Sequence, residues 1–204
     1  MTTTPLLEDQ FGFLRYDRPI AFDGITVVPL PNHSEIATAI SGVEHKDGFW
    51  YPPPSHQAEL DPRTQEPIRD IPNTKRPAFL WKIPASHSLT APTSLDRDPF
   101  RRDTGLFLIH LLAYFFGTRL QFHDWWVDSR IPTRPQADVL NPSRVVEPFM
   151  STCYRTWQAW TPEDRSSTTG VLYMHSRIPG YEWPWERFAF EYMVFDGLYA
   201  LAAP

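Results

Sequence analysis

Histidines are the side chains in this sequence best suited to chemistry near neutral pH, and their spacing decides what they could do. No two of them form an H-x-x-x-H or H-E-x-x-H pattern, and Cys153 has no second cysteine with which to form a C-x-x-C pair. The sequence therefore predicts structural histidines, no metal site and no cofactor. The seven histidines are His33, His45, His56, His87, His110, His123 and His175.

Two of these histidines could contribute to an active site. His110 lies within the apolar run 105–117, where it would act either as a gated base or as a core histidine with a hydrogen-bonded ring. His123 precedes Asp124, but neighbours on a strand point to opposite faces and would not pair directly. One alternative is thus a small enzyme of unrecognised family, whose acid–base groups come from His110, His123, Asp103, Asp124 and Glu191.

Motifs of common catalytic and nucleotide-binding sites are missing from the sequence. It contains no G-x-S-x-G of serine hydrolases, no G-x-G-x-x-G and no G-x-x-x-x-G-K-[ST]. Cys153 lies on the apolar stripe of a predicted helix, where a cysteine behaves as a small hydrophobic residue. We therefore predict a non-catalytic recognition or regulatory module and assign no catalytic residue.

Aromatic clusters provide the candidate binding surface. Tryptophan and tyrosine rings are dense near residues 49–54, 125–126 and 181–185, and such rings can stack on a base, a sugar or a proline-rich peptide. The alternative is that they close the core over the ends of loops. The predicted ligand-binding residues are Trp50, Tyr51, His123, Trp125, Trp126 and Trp183.

Composition limits the class of protein. With 204 residues and 42% hydrophobic residues, the chain can bury a sizeable core as one domain over residues 1–204. A net charge of −5 with scattered basic residues disfavours general nucleic-acid binding. The longest apolar run is shorter than the roughly 20 residues that span a bilayer, so no membrane segment is expected. A single cysteine is typical of the reducing cytoplasm.

The positions of turn and strand signals predict an α+β fold whose N-terminal part, residues 1–98, is β-rich with long proline-rich loops. Strands are expected near residues 11–14, 25–30, 49–51 and 78–83. Asp23-Gly24 is a tight-turn signal before the second strand. Residues 34–43 fit either a helix or a strand, and the proline-rich stretches 52–77 and 84–99 are expected to be loops.

The C-terminal part, residues 99–204, is expected to be mostly helical, with about four helices. The first begins at Asp98-Pro99, is apolar nearly all round and should be the most buried helix. A strand over 119–127 follows. Later helices are expected to begin at Glu147-Pro148, after the capping residue Thr161, and at Trp183-Pro184.

The last predicted helix has apolar side chains on more than one face. Its aromatic stripe is expected to pack inside the chain, and it consists of Trp185, Phe188, Tyr192, Phe195 and Tyr199. The apolar residues left over, Ala189, Met193 and Leu201, then predict an interface for a homodimer or for a helix of another protein. Full internal burial of this helix is the alternative.

The order of elements in residues ~100–204 resembles that of bacterial proteins that join a β-rich N-terminal region to a C-terminal HEPN helical domain, some of them in phage-defence systems. An apolar helix runs through Gly117-Thr118 into a strand, and a long aromatic helix comes much later. The resemblance implies that Glu191 and Asp196 match the acidic residues of the helix that opens the bundle. HEPN ribonucleases carry R-x(4–6)-H, which this chain lacks, so the resemblance implies an N-terminal part or a degenerate relative without the nuclease site.

Overall fold

The computed structural model describes four long segments and several short strands between them. The segments are residues 4–40, 84–127, 142–178 and 184–202, and the short strands lie at 45–46, 49–50, 58–60, 67–70, 81–82 and 131–132. Side chains are described over 4–38, 84–125, 144–178 and 184–202.

Strands come mainly from the N-terminal half and helices mainly from the C-terminal half, which confirms the predicted α+β class. The strands are β1 (Leu6–Gly12), β2 (Ile20–Phe22), β3 (Ile25–Pro29), β4 (His45–Lys46), β5 (Phe49–Trp50), β6 (Ala58–Leu60), β7 (Pro67–Asp70), β8 (Trp81–Lys82), β9 (His87–Pro92), β10 (Gln121–Phe122), β11 (Trp126–Val127) and β12 (Ile131–Pro132). The helices are α1 (His33–Ile40), α2 (Arg97–Arg102), α3 (Thr104–Phe116), α4 (Pro142–Ala159), α5 (Pro162–Arg177) and α6 (Pro184–Ala202).

The main sheet is antiparallel, with the strand order β10-β1-β9-β3-β2. The hairpin between β2 and β3 turns at Asp23 and Gly24, which have φ values of 46° and 79°. Positive φ at both central residues gives the tight turn whose twist matches that of the flanking strands. The turn predicted from Asp23-Gly24 is confirmed.

Strand β9 lies at the centre of the sheet, where we had predicted a polar loop. His87, Leu89 and Ala91 point inward and are at most 1% exposed, while the residues between them are half-buried. This alternation is the period of a strand, but serine, threonine and proline hide it in the sequence. Just before β9, the carbonyl oxygen of Ser86 accepts the backbone N–H of Leu30 at 2.9 Å. The chain therefore re-enters the sheet beside the end of β3.

Other differences from the predicted elements are local. The loop expected over 52–77 contains the paired strands β6 and β7, and the ambiguous stretch 34–43 begins as helix α1. The strand expected over 119–127 is divided into β10 and β11 by a turn. Helix α4 begins five residues before Glu147, at Pro142, and contains Pro148 in its interior.

The helix predicted to start at Asp98-Pro99 is divided into α2 and α3. The break is at Asp103, with φ −124° and ψ −108°, and α2 is preceded by Asp96 rather than Asp98. A Cβ on Gly105 would lie 2.7 Å from a ring carbon of Phe100, so only glycine lets the first turn of α3 pack this closely on α2. This division gives five described helices in the C-terminal part instead of about four.

Helices α2, α3 and α4 cover the inward face of the sheet and form one core with it. Eight of the thirteen residues of α3 are buried, which confirms the expected burial of this helix. The rings of Phe107 on α3 and Trp157 on α4 stack at 4.6 Å. Helix α5 begins as predicted, because the Thr161 hydroxyl oxygen accepts the backbone N–H of Asp164. None of the described helices is long and apolar enough to cross a membrane.

A buried ion network joins the sheet to α2. Asp9 occupies an inward position on β1 and accepts hydrogen bonds from two nitrogens of Arg101, at 2.5 and 2.8 Å. Arg97 adds a bond of 2.7 Å to the same carboxylate, and Arg101 also donates to Asp124 at 2.9 Å. Burial alone would raise the pKa of Asp9, but the hydrogen bonds from Arg101 and Arg97 outweigh it and lower the pKa to about 2.

We expect Asp9→Asn to lower the free energy of unfolding by about 3–5 kcal/mol, because Arg101 would keep a buried charge without its main counterion. Urea unfolding followed by circular dichroism measures the loss. The double variant Asp9→Leu/Arg101→Met should recover part of it, since both charges are then removed together. An unchanged urea midpoint in Asp9→Asn would contradict this account.

Candidate functional site

Two histidines and a serine form a buried polar cluster beside the start of β9. The Ser86 hydroxyl oxygen accepts Leu14 N–H at 2.9 Å and lies 2.9 Å from His87 Nδ1. Because the Tyr16 carbonyl can only accept a hydrogen bond, Nε2 of His87 carries the ring proton and donates to it at 2.8 Å, and Nδ1 accepts the proton of the Ser86 hydroxyl. His33 lies against this ring, with centroids 5.1 Å apart, and bonds the Leu14 carbonyl.

Serine and histidine are residue types that catalyse reactions in many enzymes, but the burial and hydrogen bonds of this cluster indicate a structural role. Ser86 and His87 are fully buried, and the bonds described above use both ring nitrogens of His87. A nucleophile needs an open approach for its substrate, which a fully buried Ser86 does not offer. Its role is to hold residues 14–16 against the sheet. Sequence reasoning treated His33 and His87 as ordinary structural histidines, and did not foresee that they meet.

His110 faces α5 from the middle of α3. Its Nδ1 lies 3.4 Å from the Ser176 hydroxyl, whose own proton is donated to the Tyr173 carbonyl at 2.7 Å. Nδ1 must then carry the ring proton, and Nε2 has no hydrogen-bond partner within the described part of the chain. Burial, with a smaller effect from the positive charge of Arg119, lowers the pKa of His110 to about 3. His110 is thus a neutral core residue.

The predicted binding residues near β10 are partly used in packing. His123 Nδ1 lies 3.2 Å from the Gln10 carbonyl, and the Trp125 ring packs edge-to-face on Phe122 at 5.1 Å. The Trp125 carbonyl accepts a bond from Gln121, so this turn is fastened to the end of the sheet. These contacts agree with rings that close the core over a loop end.

The remaining predicted aromatic residues are described only in part. Trp50 lies in β5, paired with His45 and Ile131, and Trp126 lies in β11, paired with Lys82. Their side chains, together with all of Tyr51 and Trp183, lie outside the described residues. Their role as a ligand-binding surface stays a prediction.

The acid–base groups of the alternative enzymatic hypothesis are engaged at different places. His110 is bonded to α5 and His123 to β1, while Asp124 is paired with Arg101. Asp103 lies at the break between α2 and α3, and Glu191 is exposed on α6. Within the described ranges, no contact joins these groups into one site.

A cleft of about 400 Å³, lined by both polar and apolar groups, separates the start of α3 from α5. One face of α5 lines it, and the full lining is Arg102, Asp103, Leu106, Pro162, Arg165, Ser166, Thr169, Gly170 and Tyr173. Arg165 is already engaged, because it donates to the carbonyls of Trp160 and Gln158 and lies over the Trp157 ring at 5.0 Å. It caps the C-terminal end of α4, where a positive charge is favourable.

The cysteine predicted to be unreactive lies half-buried on α4. Cys153 packs against the core, and burial raises the pKa of its thiol. A raised pKa lowers the thiolate fraction at neutral pH, so the geometry agrees with a packing role.

Helix α6 leaves a line of large apolar side chains exposed. Five aromatic side chains on its outer face are between 63% and 70% exposed: Trp185, Phe188, Tyr192, Phe195 and Tyr199. Met193 and Leu198 beside them are about half exposed, at 49% and 52%. We call the five aromatic residues the outer stripe. The expectation that this stripe packs inside the chain is wrong.

The opposite face of α6 packs on α5 instead. Val194 is buried and forms a small cluster with Val171 and Ile178, against which Phe190 also packs. A Cβ on Gly197 would lie 2.8 Å from a methyl carbon of Val171, so glycine here allows the close approach of the two helices. The predicted interface residues Ala189 and Met193 are exposed between the two faces, and Leu201 is exposed at the C-terminal end of the inner face; their role as an interface stays a prediction.

Comparisons with protein families, with curated proteins and with solved structures found no match for this chain. Over the described residues, no group of three or more His, Cys, Asp or Glu side chains is placed to hold a metal ion.

The buried histidines predict that the protein loses stability in mild acid. Burial lowers the pKa of His87 to about 4 and that of His110 to about 3, and shifts the pKa of His175 in the same direction, from an ordinary value of 6.5. The free energy of unfolding is therefore highest above pH 6.5 and falls as the pH drops toward the pKa values of these histidines in the folded protein. In that pH range the unfolded chain binds protons that the folded chain does not. Asp9 adds a loss only below pH 3.8.

Urea unfolding at several pH values between 4.5 and 6 tests this, with an expected slope of up to about 1.4 kcal/mol per pH unit for each shifted histidine. The variant His110→Leu should reduce the slope by the contribution of one proton. If the slope in His110→Leu equals that of the wild-type protein, the lowered pKa assigned to His110 is wrong.

Proposed function

We propose that this protein is a non-catalytic interaction module that binds an α-helix on the outer stripe of α6. The observation that carries the proposal is the exposure of five large aromatic side chains along one line of a helix. Soluble proteins rarely leave a contiguous apolar surface of this kind open unless it is an interface.

The spacing of the outer stripe favours a helix as the bound element. Its members follow one another at steps of three, four, three and four residues, which is the spacing of the a and d positions of a heptad repeat. A helix with this pattern presents a narrow seam along its length, into which the side chains of a second helix insert. Among the described residues, the inner face of α6 packs on α5, which leaves the outer stripe open to a partner.

The area of the outer stripe is sufficient for such a contact. An aromatic side chain buries ~150–250 Å², so five rings that are about two-thirds exposed leave on the order of 600 Å² uncovered. A specific interface needs roughly 500 Å² from each partner. One helix laid along α6 would therefore supply an interface near the lower end of the range for specific complexes.

We extend this proposal to the setting that the sequence resemblance implies. The protein would be a cytoplasmic, HEPN-like relative without the R-x(4–6)-H motif, possessing a defence-related role as a binding partner and not as a nuclease. Glu191 and Asp196, the acidic residues that the resemblance singles out, are both exposed on α6, where a partner could contact them.

The outer stripe should contribute little to the stability of the folded chain. We expect the triple variant Phe188→Ser/Tyr192→Ser/Phe195→Ser to change the free energy of unfolding by no more than about 0.5 kcal/mol per site, because these side chains are already in water. The matched inner-face variant Val194→Asp should lose several kcal/mol (on the order of 3), since it buries a charge against α5. Urea unfolding compares the two variants.

Binding to a synthetic three-heptad helix tests the function itself. The probe carries leucine at every a and d position and glutamine at e and g, and fluorescence anisotropy of the labelled peptide reports binding. We expect the wild-type protein to bind and the triple variant to lose binding. Leu6→Ser/Leu95→Ser, which removes exposed apolar side chains elsewhere, should bind like the wild type. A wild-type protein that is monomeric by light scattering and binds no helical probe would refute the proposal.

A further inference from the structure

We infer that the partner of the outer stripe is a helix of another protein with lysine or arginine beside its apolar seam, and not a second copy of this chain. The inference rests on the proposed function of α6 as a helix-binding surface. It comes from the residues that flank the stripe, which decide which partner and which direction a paired helix accepts.

The flanks of the outer stripe are acidic where they are charged. With Trp185 at an a position, the e and g positions that border the seam within α6 are Pro184, Ala189, Glu191, Asp196 and Leu198. Glu191 and Asp196 are exposed, on opposite sides of the stripe. The single basic residue of the helix, Arg187, occupies a c position, away from the seam.

Pairing of α6 with a second copy of itself gains nothing from these flanks. In a parallel pair, the g position of one helix faces the following e position of the other, so Glu191 would meet Asp196 of the second copy. In an antiparallel pair, g faces g and e faces e, and neither set contains a basic side chain. Self-pairing therefore has a like-charge contact in one direction and no opposite-charge contact in the other.

A membrane surface is also a poor fit for the outer stripe. Helices that lie on membranes usually combine aromatic residues with a basic polar face, which is attracted to anionic lipids. Helix α6 has three acidic residues, Glu186, Glu191 and Asp196, against one arginine. The surface of an anionic membrane would repel this arrangement.

A basic partner helix satisfies both parts of the surface. Its apolar seam would cover the aromatic rings, and its lysine or arginine side chains would lie beside Glu191 and Asp196. Exposed ion pairs contribute modestly, so two of them should favour a basic partner over an acidic one by about fivefold in Kd. The charges thus select the partner, while the aromatic seam supplies most of the affinity.

Two further three-heptad peptides test the inference, identical to the glutamine probe except for lysine or glutamate at every e and g position. We expect the lysine peptide to bind about fivefold or more tightly than the glutamate peptide, and this preference to shrink at high salt. The variant Glu191→Lys/Asp196→Lys should reverse the preference. Because the whole chain is acidic, Asp17→Lys/Glu35→Lys serves as the charge-matched control and should keep it.

The outcomes separate this inference from the proposed function. Equal binding of the lysine and glutamate peptides, with binding still lost in the triple variant, would overturn the basic partner and leave helix binding intact. Dimerisation of the wild-type protein through the outer stripe would overturn it in favour of a second copy. Binding to anionic lipid vesicles that the triple variant lacks would overturn it in favour of a membrane. Failure of all three peptides, in a monomer, would remove the proposed function as well.

Discussion

The pairing of Asp9 with Arg101 is the constraint on which the arrangement of sheet and helices depends. A carboxylate at an inward position of β1 is unfavourable in a core unless a cation reaches it, and α2 supplies two. Arg101 also lies 4.7 Å over the Phe122 ring and bonds Asp124, so the same guanidinium fixes the end of β10. The sheet and α2 can therefore close their core only in the register that brings these charges together.

The described elements form two packed clusters of different size. The sheet with α2, α3 and α4 shares a large core, and the Ser86–His87 cluster ties the residues that follow β1 to it. Helix α6 is held through α5 by a much smaller cluster around Val194. The serine and histidines of the Ser86–His87 cluster are buried beside the sheet. The apolar outer stripe, which is suited to recognition, is exposed on α6.

Local signals predicted much of this fold, and nonlocal contacts account for what they missed. The Asp23-Gly24 turn and the Thr161 cap depend on a few adjacent residues, so the sequence was sufficient. Strand β9 was missed because its polar residues are stabilised only by the strands on either side. The inner and outer faces of α6 are both apolar, so periodicity could not say which one packs, and the choice follows from the close approach that Gly197 allows.

The hydrogen bond between Leu30 and Ser86 has a consequence for how the chain reaches its native state. The main sheet cannot place β9 between β1 and β3 until Leu30 and Ser86, which residues 31–85 separate, have come together, and contacts of such sequence separation slow folding. The entropy of closing a loop grows only with the logarithm of its length. Insertions or deletions within this stretch would therefore change the time the chain needs to assemble its sheet more than they change the strength of the sheet.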